Sequence, residues 1–119
     1  MADKVYITVV ETPSFLARAE KLMDEEDRFA IVNMLAEDPE CGVLIRGTGG
    51  VRKVRVALEG RGKSGGARVV YFFHDLEMPL YILAIFAKNQ KASLSPTEKA
   101  ALKKATTTLV NTHKERRDV

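Results

Sequence analysis

The chain has 119 residues, 45% of them hydrophobic and 29% charged, which predicts one globular domain over residues 1–119 and leaves no room for a second core. Its net charge of +3 is regional: residues 1–45 carry 4 Lys/Arg against 10 Asp/Glu (net −6), residues 46–91 carry 9 against 3 (+6) and residues 92–119 carry 6 against 3 (+3), so a surface for a polyanion is expected on the middle segment. The single cysteine, Cys41, excludes an internal disulfide, and with His74 and His113 far away in sequence it offers no metal-ligand spacing; with no signal-peptide pattern in MADKVYITVVETP and no membrane-length apolar run, a cytoplasmic protein with no membrane partner is expected.

Val5, Tyr6, Ile7, Val9 and Val10 form a β-branched and aromatic run that predicts an opening strand over residues 4–11. Thr12 and Pro13 then suit the cap and first turn of a helix carrying Phe15, Leu16, Ala19 and Leu22. Asp24 caps a second helix, with Phe29, Ile31, Val32, Met34 and Leu35, that ends at Asp38-Pro39. The acidic run Asp24-Glu25-Glu26-Asp27 sits where a helix N-terminus favours negative charge, so its role is read as structural.

From Gly42 the period changes to two. Strands are predicted over 51–58, 68–75 and 79–87, joined by connections short enough for an antiparallel meander. Ser95-Pro96-Thr97-Glu98 is a capping box with proline at the first helical position, opening a helix over Leu102, Ala105, Leu109 and Val110. Residues 114–118 read as a frayed, solvated tail. The fold class is α+β: an antiparallel sheet of about four strands, two N-terminal helices and one C-terminal helix.

Glycine and cation alternate from Gly47 to Tyr71. Strand geometry projects Lys53 and Arg55 from one face while Val54, Val56 and Leu58 face the core, and Arg61, Lys63 and Arg68 follow. Gly62-Lys63-Ser64 is not a P-loop, because Ala57 stands where the first glycine belongs and a strand, not a helix, follows. The segment is read as a flexible hairpin connection whose glycines bring Arg61 and Lys63 close to a nucleic-acid backbone.

The stretch GTGGVRKVRVALEGRGKSGGARVVYFF followed by YILAIFAKNQKASLS resembles the RelE/HigB-type toxins of bacterial toxin–antitoxin pairs, at motif level over residues 42–105. The resemblance implies a compact α+β ribonuclease without cofactor or metal, which cuts mRNA in the ribosomal A site, is held inactive by a cognate antitoxin and meets operator DNA only through the antitoxin complex. It places the catalytic residues at Lys53, Arg55, Arg68 and Lys88. Attack of a ribose 2′-hydroxyl on the adjacent phosphate needs a base, a charge clamp and a leaving-group acid. Arg55 and Arg68 suit the clamp, and Lys53 and Lys88 suit proton exchange. Arg52, Arg61, Lys63 and Lys91 complete the set as RNA-binding residues.

One departure stands out: Phe86-Ala87-Lys88-Asn89-Gln90 occupies a position where related chains often have a tyrosine, a glycine and an acidic residue. Phe86 retains stacking but offers no phenolic proton, a part that Tyr71 or Tyr81 would have to take. His74, at the end of an apolar strand, is left outside the site. The alternatives are a non-catalytic RNA- or DNA-binding module on the same basic face and an inactive relative that binds an antitoxin. Convergence of Lys53, Arg55, Arg68 and Lys88 around one phosphate separates them, since backbone binding tolerates a dispersed patch.

Overall fold

Apolar periodicity and turn chemistry sort the chain into β1 (Val9–Glu11), α1 (Pro13–Leu22), α2 (Glu25–Glu37), β2 (Val43–Leu44), β3 (Val51–Leu58), β4 (Gly65–Phe72), β5 (Leu80–Ala87) and α3 (Pro96–Arg117). These come from a computed structural model that describes residues 6–60, 65–88 and 93–117. The strands form one sheet in the order β1-β5-β4-β3-β2. β3, β4 and β5 make the antiparallel meander expected from their short connections. Two features were not anticipated: β2 adds a short antiparallel fifth strand beside β3, and β1 pairs with β5 in parallel.

The strand ends follow from pairing. β4 begins three residues earlier than its apolar run and stops at Phe72, because Val51↔Phe72 is the last pair that β3 can offer. Gly50, with φ of 121°, turns the chain away there, in a conformation that only glycine adopts readily. The opening strand is shorter than expected because the amide of Ile7 donates to the carbonyl of Ala36 at the end of α2 (3.1 Å) rather than to a strand. Between Val70↔Ala84 and Tyr71↔Ile82 the register shifts, leaving Leu83 as an extra residue on β5.

Both faces of the sheet carry helices. On one, Phe15 and Ala19 of α1, Met23 at its C-cap, and Ile31 and Leu35 of α2 bury against Leu58, Ala67, Val69, Tyr71, Leu80, Ile82 and Ile85. Thr12 caps α1, accepting from the Phe15 amide (3.4 Å), while its hydroxyl donates to the Ile82 carbonyl (2.7 Å), which ties the helix start to β5. Asp24 caps α2 through the Asp27 amide (3.0 Å). Asp27 in turn accepts from the amides of Glu59 (3.2 Å) and Gly60 (2.9 Å), so the acidic run anchors the end of β3.

The other face is only partly covered. α3 lays the narrow stripe Leu102, Leu109 and Val110 over Val51, Val70, Phe72 and Met78. Its capping box is formed, Ser95 donating its amide to Glu98 Oε1 (2.9 Å) and accepting from the Glu98 amide (3.2 Å). Buried Thr106 donates to the Thr48 carbonyl (3.0 Å), pinning α3 to the turn before β3. The helix continues to Arg117, beyond the expected start of a frayed tail at Lys114. Among the described residues no helix is long and apolar enough to cross a membrane.

Tyr71 closes the first core beneath the segment that leads into β2. Its ring is fully buried, and its hydroxyl accepts from the Gly42 amide (2.8 Å) and donates to the Pro39 carbonyl (2.9 Å). Burial pushes the phenol well above its ordinary value of 10.0, because ionisation would place a charge among apolar groups. Tyr71→Phe should leave the buried Gly42 amide without an acceptor and cost about 1–3 kcal/mol in urea unfolding. The raised pKa means that the native state resists losing this proton. Wild-type stability should therefore fall as pH rises above the unfolded value of about 10, and Tyr71→Phe should remove that component of the alkaline dependence.

Candidate active site

Strand alternation sets the site. In β3, Val54, Val56 and Leu58 turn to the α1/α2 core, while Val51, Lys53, Arg55 and Ala57 turn to the α3 side. On β4 the same side carries Gly66, Arg68, Val70 and Phe72, and on β5 it carries Phe86, with Lys88 following the strand. α3 covers the Val51–Phe72 end of this face. The cations occupy the other end.

Arg55 and Arg68 are direct cross-strand partners, and Arg68 pairs on its other side with Phe86. The next rung is Ala57, Gly66 and then Lys88, whose amide donates to the Gly66 carbonyl (3.1 Å). Gly66 has no room for a side chain, since a Cβ there would lie 2.7 Å from the Val56 carbonyl oxygen. Small residues on that rung leave a cavity of about 190 Å³ lined by Arg55, Arg68 and Lys88. A neighbouring concavity of about 420 Å³ is lined by Lys53, Arg55 and Arg68 together with Cys41 and Val43. Arg55 and Arg68 line both, with Lys88 at the first cavity and Lys53 at the second, so the arginine pair is shared by the two concavities that the four residues expected to be catalytic border.

The remaining expected positions divide. Arg61, Lys63 and Lys91 lie outside the described residues. Arg52 points to the opposite side of β3. Its guanidinium donates to the carbonyls of Gly42 (2.7 Å) and Glu40 (3.2 Å) and lies 3.7 Å from the Glu40 carboxylate. A side chain only 15% exposed and committed to carbonyls holds the chain ahead of β2 and stands apart from the cationic depression.

Neither tyrosine reaches the site. Tyr71 is in the core on the other face, and Tyr81 lies five residues back along β5 from Phe86, roughly 16 Å at strand rise, under α3. His74 lies beyond the end of β4, exposed and 3.6 Å from the Asp75 carboxylate. Two cations not singled out from sequence approach instead. Arg18 of α1 sets its guanidinium 4.8 Å over the Phe86 ring, and Lys99 of α3 faces Lys53 and Arg68 across a small cavity. For Arg18 no local signal existed. Lys99 carried one, being a cation in the first turn of a helix, where the macrodipole disfavours it.

Like charges directly opposite each other destabilise a sheet, and Arg55 and Arg68 face each other across β3 and β4. Arg55→Gln should raise the urea midpoint, with a gain of about 0.2–1 kcal/mol at low ionic strength that shrinks in high salt as the repulsion is screened.

A depression of this kind can hold a phosphate between two guanidiniums with lysines on either side. Comparison with known proteins identifies the family. A model of the RelE toxin of the RelE/RelB toxin–antitoxin system matches residues 12–118. Among solved structures, the chain is similar to the E. coli toxin RelE, seen in the free state as a mutant with two arginines replaced by alanine. The TM-score is 0.52 and the identity 20%, over 71% of this chain and 85% of that one, a likeness of fold. With residues 12–118 inside the family pattern, the chain belongs to the RelE toxin family.

Proposed function

We propose that this protein is the toxin of a toxin–antitoxin pair and acts as a cofactor-independent endoribonuclease on mRNA in the ribosome, inhibiting translation until a cognate antitoxin binds it. Operator DNA would be met only through the antitoxin complex. The observation that supports the reading is that Arg55 and Arg68 line two cavities together, one with Lys88 and the other with Lys53, where backbone binding alone would tolerate scattered charge.

In the proposed reaction the ribose 2′-oxygen attacks the adjacent phosphorus, a lysine takes the 2′ proton, and the bond to the 5′-oxygen breaks as a second proton reaches that oxygen. The products are a 2′,3′-cyclic phosphate and a 5′-hydroxyl. Arg55 and Arg68, opposite each other on adjacent strands, bracket the phosphorane-like transition state, whose extra negative charge also offsets the repulsion between them. Lys53 and Lys88 flank the pair and supply base and acid. With Phe86 lacking a hydroxyl and both tyrosines elsewhere, proton transfer falls to these amines.

The reading is tested by separating binding from cleavage on programmed ribosomes. Arg55→Ala and Arg68→Ala should each slow single-turnover cleavage by about 10²–10³, the cost of one positioned donor, while ribosome affinity changes severalfold at most. Alanine at Arg61 or Lys63 should instead lower the salt dependence of binding by about one counterion and leave cleavage at saturation intact. Parallel losses in binding with no separate loss in the cleavage step would leave a non-catalytic binding module.

In cells, expression of the intact chain alone should arrest growth. Arg68→Ala should relieve the arrest, and co-expression with the product of the adjacent gene should restore growth through a stable complex. Normal growth with abundant wild-type protein would count against toxin action.

A further inference from the structure

The side of the sheet covered by α1 and α2 carries a groove that the proposed reaction does not use. Along α1, Leu16, Ala19, Glu20 and the C-cap Met23 recur at the three- and four-residue spacing that places side chains on one helix face. With Asp24, Glu25 and Arg28 at the start of α2 they line a concavity of about 510 Å³. Ala19 and Met23 are buried at its floor, and Leu16 stands 40% exposed on its wall. From Leu16 to Met23 the groove runs roughly 10 Å at helical rise, about two turns.

Its rim is anionic. Glu20 and Glu25 are exposed and Asp24 is half-buried. Arg28, the cation among the described lining residues, donates to Glu11 Oε1 (2.7 Å) and lies 5.0 Å from the centre of the Phe29 ring, so its charge is directed to Glu11, outside the groove. An apolar floor under carboxylates repels RNA and suits cations carried on aliphatic stems. A second copy of the chain is a poor match through its basic helix, because none of the exposed large hydrophobic side chains among the described residues lies on α3.

We propose that this groove docks a basic amphipathic helix of a partner protein, which lays aliphatic side chains on Leu16, Ala19 and Met23 and places lysine or arginine among Glu20, Asp24 and Glu25. Apolar contact holds the helix in the groove, and the charge pattern sets its orientation. Because α1 and α2 lie on the face opposite Arg55 and Arg68, the partner leaves the cationic face open. The inference does not depend on the ribonuclease reading.

The test is an amide NMR titration of the full chain with a synthetic lysine–leucine peptide that carries leucine at the i, i+3, i+4 and i+7 positions of a helix. Two control peptides of the same length replace lysine by glutamate or leucine by serine. The lysine–leucine peptide should bind saturably and shift signals of α1 and the start of α2 while those of Arg55 and Arg68 stay in place, and both controls should bind on the order of tenfold more weakly or not at all. Glu20→Lys should weaken the peptide by on the order of tenfold, because like charges then meet across the contact, and added salt should weaken the wild-type complex. Leu16→Ser, at an exposed position, should weaken it severalfold through lost apolar contact. Glu37→Lys makes the same charge change at the far end of α2, more than a screening length away, and should alter affinity by no more than about twofold.

Shifts centred on β3 and β4, equal weakening by Glu20→Lys and Glu37→Lys, or undiminished affinity in both Glu20→Lys and Leu16→Ser would overturn the docking groove. Serine-control binding as tight as that of the lysine–leucine peptide would do the same, as would self-association of the chain through α1 that excludes the peptide.

Discussion

The pairing of β3 with β4 must satisfy two opposed demands, and the rest of the structure is arranged around that conflict. One side of the pair supplies Val54, Val56, Val69 and Tyr71 to the core under α1 and α2. The other side sets Arg55 directly opposite Arg68, an arrangement that repels in the absence of an anion. A hairpin with two arginines face to face needs compensation elsewhere, and the helix-covered opposite face provides it through apolar burial. The polar anchors are placed at the ends: Asp27 on the Glu59 and Gly60 amides, Thr106 on the Thr48 carbonyl, and Tyr71 on Gly42 and Pro39.

This division explains why α3 covers so little of its face. Its apolar stripe meets Val51, Val70, Phe72 and Met78 and reaches no further. Had the stripe extended over Arg55 and Arg68, their guanidiniums would have lost water without gaining a counter-charge, a desolvation cost of several kcal/mol per ion. The helix instead brings Lys99 to the border of the open region. Cations from α3, β3 and β4 thus surround an uncovered apolar floor. The acidic helix α2 lies on the other side and keeps the charge distribution polar across the sheet, which favours approach to a polyanion by the basic face.

Within the site, Arg68 differs from the other cations. It is half-buried in the central strand row with Phe86 beside it, whereas Lys53, Arg55 and Lys88 are exposed. A fixed planar guanidinium suits a charge that develops at one place, and a mobile amine suits a proton that must travel. Gly66 and Ala57 matter for what they lack, because a larger side chain on that rung would fill the space between the arginines and Lys88.

Much of this was legible in the sequence because it depends on local periodicity. Alternation from Val51 to Leu58 put Lys53 and Arg55 on one face, the caps at Thr12, Asp24 and Ser95 marked three helix starts, and the short connections implied the meander. The convergence of the cations needed more, since the Arg55–Arg68–Phe86 row is a matter of strand register, and register is set by which side chains bury together. Only the tertiary structure decided the parallel seat of β1, the commitment of Arg52 to the Gly42 and Glu40 carbonyls, the removal of Tyr71 from reach of the site and the approach of Arg18 to Phe86. Each joins residues at least ten positions apart, most of them many more, and sequence pattern speaks to neighbours within a turn or a strand, whereas such contacts are chosen by the packing of the whole chain.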